Sequence, residues 1–180
     1  SAFKESFRRE RLSIWPARRP EEQLSANEID MTAWAEHEVT RRMHGSPLVL
    51  ALAVADSGGY ASISCASRTV EGGPVYVEHL SPAAQTRCIP GKLKALRDEM
   101  GADSLILDEK KAAGILNDLK REKIKYLSIK PSEIAGATAM IVEYINDGMV
   151  EHRGQEELTT SIRYAQPRNI GSYGSTWEQS

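Results

Sequence analysis

Apolar residues along this chain change their spacing near position 48. Before it they are sparse: Phe3, Phe7, Leu12, Ile14 and Trp15, then Ile29, Met31 and Trp34, set among Arg, Glu and Pro. Phe3, Phe7 and Ile14 predict a short amphipathic helix that Pro16 stops, because proline lacks an amide hydrogen and its ring clashes with the preceding turn. The stretch ARRPEEQLSANE has linker composition. Residues 1–47 therefore read as a lead-in segment with no core of their own, and residues 48–180 as the domain.

From Leu48 the pattern is that of a folded unit. LVLALAV, Leu48 to Val54, is a continuous apolar run suited to a strand covered on both faces. Asp56-Ser57-Gly58-Gly59 supplies turn chemistry, and Tyr60 to Ala66 then alternates, with Ala61, Ile63 and Cys65 on one side. Glu71-Gly72-Gly73-Pro74 makes another turn before a third strand, Val75 to Leu80. Strands joined by such tight turns pair as an antiparallel meander.

Helix and strand alternate after it. Pro90 to Met100 carries Leu93, Leu96 and Met100 at helical spacing, with a proline near the start and Gly101 as the stop. SLILD, Ser104 to Asp108, is a buried type of strand, and Lys110 to Glu122 sets Ala112, Ile115, Leu116 and Leu119 on one helical face. Lys125 to Ile129 is a fifth strand. Pro131 to Asn146 is a helix with Ile134, Ala137, Ile141 and Ile145 inward, and Glu156 to Tyr164 a last short one. The tail from Pro167 shows no periodicity and reads as loose. The order β-β-β-α-β-α-β-α predicts an α/β fold: a mixed five-stranded sheet with an antiparallel meander and flanking helices. Right-handed crossovers set the strand ending at Asp108 beside the first strand. This order resembles the RNase H-like fold, a likeness that does not by itself fix a function.

Composition narrows the chemistry. A formal net charge of −2 speaks against a polybasic binder but leaves room for a local basic face. No apolar run reaches the roughly 18 residues a membrane span needs, and the first residues carry no signal-peptide pattern. Cys65 and Cys88 have no metal-ligand spacing and read as reduced thiols, and His37, His44, His79 and His152 are scattered, with no zinc motif. There is no GxxxxGK[ST] phosphate loop and no motif for a Ser-His-Asp or Cys-His site.

Carboxylates at strand ends are the remaining candidates. Asp108 ends an apolar strand, where it either caps the next helix or emerges at the sheet edge as a metal ligand. Asp56, just past the first strand, is either a turn residue or a second ligand. Glu109 fits a charge in a first helical turn, Glu143 a solvated helix face, and Asp147 a helix end. Lys92, Lys94 and Arg97 on one helix, with Lys110, Lys111, Lys120, Arg121, Lys123 and Lys125 around the next, are either solvated faces or holders of a nucleic-acid backbone.

Several segments, in order, resemble the nuclease domain of phage terminase large subunits. FRRERLSIWP with Trp34 looks like the connector before that domain, LALAVADSGGYASI like its first hairpin, and SLILDEKKAAGILNDLK like its second acidic motif. The stretch Ala135 to Trp177 is similar to its later helix and Gly-His segment. The resemblance spans nearly the whole chain. It implies a metal-dependent endonuclease that cuts concatemeric double-stranded phage DNA with little sequence specificity, using Mg²⁺ or Mn²⁺ in a two-metal site. It further implies an upstream ATPase motor domain, the small terminase subunit and the portal as partners, and the host cytoplasm as the place of action. Asp108, with Asp56, would be catalytic and hold the metal. Two departures qualify this. Ala53 stands where the family has its first catalytic aspartate, and the third family carboxylate lies beyond the tryptophan that Trp177 resembles, so the domain would be cut short at Ser180. A non-catalytic DNA- or partner-binding module of the same shape is the alternative.

Overall fold

The mixed sheet expected from the element order is present, with one strand more. In the computed structural model, residues 28–177 are described, so the helix expected around Phe3 to Ile14 lies outside them. A short helix α1 (Met31–Glu36) leads into β1 (Leu48–Val54), β2 (Tyr60–Arg68) and β3 (Val75–Gln85). Then follow α2 (Ile89–Met100), β4 (Ser104–Leu107), α3 (Leu116–Arg121), β5 (Leu127–Ser128), α4 (Pro131–Asn146), β6 (Val150–His152), α5 (Glu156–Tyr164), β7 (Pro167–Asn169) and β8 (Ser175–Trp177). The main sheet has six strands in the order β5-β4-β1-β2-β3-β6. β1, β2 and β3 form the antiparallel meander, and β4 joins β1 in parallel, the neighbour expected for it. β6 adds to the far edge, parallel to β3. Its three residues are too few to show a strand period in the sequence.

Each face of the sheet has its own core. Leu50, Leu52, Ile63 and Leu107 pack with Ile89 and Leu93 of α2 and with Ala112, Ile115 and Leu119. On the other face Trp34, Ile145, Val150 and Ile162 meet Val77, Leu158 and Trp177. This second core lies under the β3–β6 side, and that placement corrects one expectation. β1 is not covered on both faces: Leu48, Leu50, Leu52 and Val54 are buried, whereas Ala51 and Ala53 are exposed. Helices α4 and α5 cover the β3–β6 side of that face and leave the small side chains of the central strands open.

Two further expectations are adjusted. The helix expected over Lys110 to Glu122 is shorter, a 3-10 turn at Ala113–Ile115 followed by α3. The backbone after β4 is first held in a turn, with the Asp108 carboxylate accepting from the amides that follow it. The inward face is nevertheless the one foreseen, since Ala112, Ile115 and Leu119 are buried. The tail is not loose in its described part: β7 and β8 pair as a hairpin, Pro167 opposite Trp177. Gly171 (φ 72°) and Gly174 (φ 107°) take the left-handed backbone its turn needs. The hairpin leans on α4, where the Thr138 and Thr176 hydroxyls bond at 3.3 Å. Among the described residues no helix is long and apolar enough to cross a membrane.

Candidate metal and phosphate site at the sheet edge

β1 and β4 run side by side until Leu52 meets Leu107, so the next residues, Ala53 and Asp108, arrive level at the edge. Alternation decides which way each faces. Ala51 and Ala53 sit on the open face, opposite Ser64 and Ser62 of β2. Asp108 continues the parity of Ser104 and Ile106 and emerges on that same face, half-buried. The result is a shallow floor of alanine and serine with a carboxylate at its rim.

Asp108 does what a capping residue does. Its Oδ1 accepts from the backbone N–H of Lys110 at 2.9 Å and of Lys111 at 3.4 Å. Among the described residues its second oxygen has no hydrogen-bond partner. Capping thus uses one oxygen and leaves the other available to a ligand, so the two readings of this residue are compatible.

Asp56 lies in the β1–β2 turn, which the bond from Gly58 N to Ala55 O closes at 2.8 Å. It is exposed and paired on both oxygens: Lys111 Nζ at 2.8 Å from Oδ1 and Arg168 at 3.6 Å from Oδ2. The hydrogen bond and charge of Lys111, with Arg168 beyond, hold the Asp56 carboxyl below the usual carboxylate range. Lys111 is the hinge of the arrangement, since its backbone touches Asp108 and its ammonium touches Asp56. Both candidate carboxylates therefore border one small area, with two cations between and beside them. Arg168 comes from β7, in the tail that shows no periodicity. A positive group at a site so distant in the chain leaves no local sequence signal.

The other sequence candidates stand apart. Glu109 accepts from the Tyr126 hydroxyl at 2.9 Å, Glu143 is exposed on α4, and Asp147 ends that helix. Part of the basic set is tied up: Lys92 bonds Ser81, Lys94 pairs with Glu122, Arg97 with Asp98 and Arg121 with Asp118. Lys110, Lys120, Lys123 and Lys125 are exposed.

The chemistry open to this edge is limited and specific. Asp108 offers one free carboxylate oxygen to a hard cation, which prefers oxygen ligands and keeps several waters. Asp56 offers a second only after Lys111 and Arg168 release it. Ala53 offers none. The same lysine and arginine would meet a phosphate oxygen favourably. Among the described residues the one group of three or more His, Cys, Asp or Glu whose ligand atoms converge is elsewhere, at His44, Cys65 and Glu78.

No model of a known protein family matches the sequence, and no curated protein matches it either. Solved structures do. The large terminase of bacteriophage HK97 superposes with a TM-score of 0.67 at 10% identity, over 98% of this chain and 43% of that one. The large terminase nuclease of thermophilic phage G20c gives 0.56 at 16% identity, over 78% of this chain and 75% of that one. A nuclease domain of the large terminase subunit of bacterial virus Sf6, solved with manganese and beta-thujaplicinol, gives 0.55 at 12% identity, over 84% and 87%. The chain spans less than half the length of the HK97 protein. At these identities the likeness is one of fold: the chain has the RNase H-like architecture of the terminase nucleases.

Proposed function

We propose that this chain is the nuclease part of a phage DNA-packaging terminase whose carboxylate set is depleted, so that it holds DNA and cuts it weakly. The observation that supports this reading is the level placement of Asp108 and Ala53 on an open floor where parallel β1 and β4 end, within a terminase-nuclease fold. The substrate is concatemeric double-stranded DNA, met through its backbone and hence with little sequence preference. Asp108 is the primary ligand for Mg²⁺ or Mn²⁺, and Asp56 the secondary one. When bound, such an ion polarises a phosphoryl oxygen and lowers the pKa of a water. The chain's own part is to present Asp108 Oδ2 and to set Lys111 and Arg168 for the phosphate. The upstream ATPase motor, the small subunit, the portal and the host cytoplasm belong to this reading as its context.

The second reading, a binding module without catalysis, is favoured by Ala53 and by the two cations already on Asp56. One experiment separates them: plasmid nicking in Mn²⁺ by the chain, by Asp108→Ala and by Ala53→Asp. Ala53 is exposed, so the aspartate enters without repacking. The expected order is weak nicking by the chain, none by Asp108→Ala, and a gain of about tenfold or more for Ala53→Asp, or roughly 1.4 kcal/mol of barrier. Nicking that survives Asp108→Ala would remove Asp108 from the site. Silence from Ala53→Asp would favour the binding module.

A further inference from the structure

On the sheet face opposite the edge site, three side chains from separate parts of the chain converge. Cys65 of β2 is paired directly across from Glu78 of β3, and both side chains are buried. His44 comes down onto them from the segment before β1. Its Nε2 lies 3.1 Å from Glu78 Oε2 and 3.8 Å from Cys65 Sγ. All three ligand atoms fall within 4.8 Å of one another. With zinc–nitrogen and zinc–oxygen bonds of about 2.0–2.1 Å and a zinc–sulfur bond of about 2.3 Å, neighbouring ligands in a tetrahedron stand roughly 3.4–3.6 Å apart. The observed separations bracket that spacing.

We propose that His44 Nε2, Cys65 Sγ and Glu78 Oε2 form a zinc site that fastens the segment before β1 to the meander. One imidazole, one thiolate and one carboxylate are a borderline-soft donor set, suited to zinc rather than to Mg²⁺ or Mn²⁺. The thiolate and the carboxylate offset the charge of the ion, while the two guanidinium groups that also face Glu78 stay partly in solvent. The carboxylate is already oriented for the task. Its Oε1 is held by Arg42 at 2.9 Å and Arg153 at 3.4 Å, while the Tyr76 hydroxyl donates to Oε2 at 2.9 Å. Partners of this kind around a ligating carboxylate are the usual outer support of a metal site. Both guanidinium groups reach solvent, so they keep their hydration with the ion in place. The His44 side chain is 23% exposed and opens an entry path, and water takes the fourth position.

The protonation states set what binding has to change. Burial pushes the Cys65 thiol up to about 11, so without metal it is a neutral thiol. Burial also acts to raise Glu78, but hydrogen bonds from Tyr76, Arg42 and His44 outweigh it and keep the carboxyl below its ordinary range, hence ionised. Zinc binding therefore displaces one proton, from sulfur, and leaves the carboxylate as it stands. The site is independent of the nuclease reading, since it uses none of the residues at the β1–β4 edge.

The test is a Co²⁺ titration of the chelator-treated full chain, read by absorption, with Zn²⁺ as competitor. The expected result is a thiolate-to-cobalt charge-transfer band that saturates at one Co²⁺ per chain, and displacement of that band by one equivalent of Zn²⁺. Cys88 is exposed and is not one of the converging ligands, so Cys88→Ser keeps the band, as does Asp108→Asn. Cys65→Ser abolishes it. His44→Ala, at a partly exposed position outside the sheet, provides a second variant should the buried serine unfold the sheet, and it also loses the band while circular dichroism stays unchanged. Zn²⁺ further raises the melting temperature of the chain and not that of His44→Ala. A missing band, a band that survives His44→Ala, or one that depends on Cys88 overturns the proposal.

Discussion

His152 shows how a single buried side chain links the lead-in to the sheet. It is 1% exposed and stacks on Trp34 with ring centroids 3.6 Å apart. Its Nδ1 accepts from Gly154 N at 2.9 Å, which leaves the ring proton on Nε2 to donate to Trp34 O at 2.7 Å. Both nitrogens are used by the neutral ring, and protonating Nδ1 would cost the Gly154 bond. Burial accordingly lowers the His152 pKa, with the bond to Trp34 opposing it. Above the ordinary imidazole value, about 6.5, the ring is neutral in both folded and unfolded chains. Below it the unfolded chain takes up a proton that the folded one refuses, so stability falls as pH falls from there toward the lowered folded value. Urea midpoints measured down this range are expected to decline, and the His152→Gln variant to lose that part of the slope. An identical slope in the variant would assign the effect to other groups. Asp108 carries the corresponding lesson at the edge site. Its place at the end of an apolar run was legible in the sequence, while the division of its oxygens between cap and free acceptor was not.

At the scale of elements, the segment from 37 to 47 behaves as a strap over β2 and β3. Glu38 bridges to His152, and Val39 N bonds His152 O at 2.8 Å. Farther on, Gly45 lies flush against the end of β2. A Cβ there would sit 1.8 Å from the carbonyl oxygen of Arg68, a backbone atom that cannot step aside. Gly45→Ala is therefore expected to lift the strap and cost about 1–3 kcal/mol, read as a lower urea midpoint. Retention of wild-type stability would mean that the strap contributes nothing. The β7–β8 hairpin has the same character. Its strands are three residues each, too short for a period, and they are recognisable only by their pairing and by the glycines in the turn.

For the molecule as a whole, the feature that matters is one sheet with a core on each face. Trp34, 3% exposed, anchors the second core and also donates its indole N–H to Thr159 Oγ1 at 3.2 Å. Trp34→Ala is expected to cost about 3–5 kcal/mol in denaturant unfolding. Because β3 contributes to both cores, Leu80 to the first and Val77 to the second, tryptophan fluorescence and far-ultraviolet circular dichroism should follow one coincident transition. Separate midpoints for the two probes would show that the β3–β6 side melts by itself.

Composition and periodicity settled the α/β class, the meander, the inward faces of α2 and α3, and the strand-end position of Asp108; on α4 they placed Ile134, Ile141 and Ile145 correctly, but Ala137 is exposed and Ala135 is buried in its stead. These follow from local spacing, which the alternation of strands and the turn of a helix impose on neighbouring residues. Tertiary structure alone decided that Ala53 is open rather than covered, that Lys111 and Arg168 hold Asp56, and that His44 reaches Cys65 and Glu78. A partial trace of the last did exist, since alternation in VYVEHL puts Glu78 on the same side as Tyr76, a charge at an inward position. Its partners in the cluster could not be read, because His44 lies 34 residues away along the chain and Cys65 sits on a different strand. Contacts over that distance depend on how the strap crosses the sheet, and no residue pattern within either segment records it.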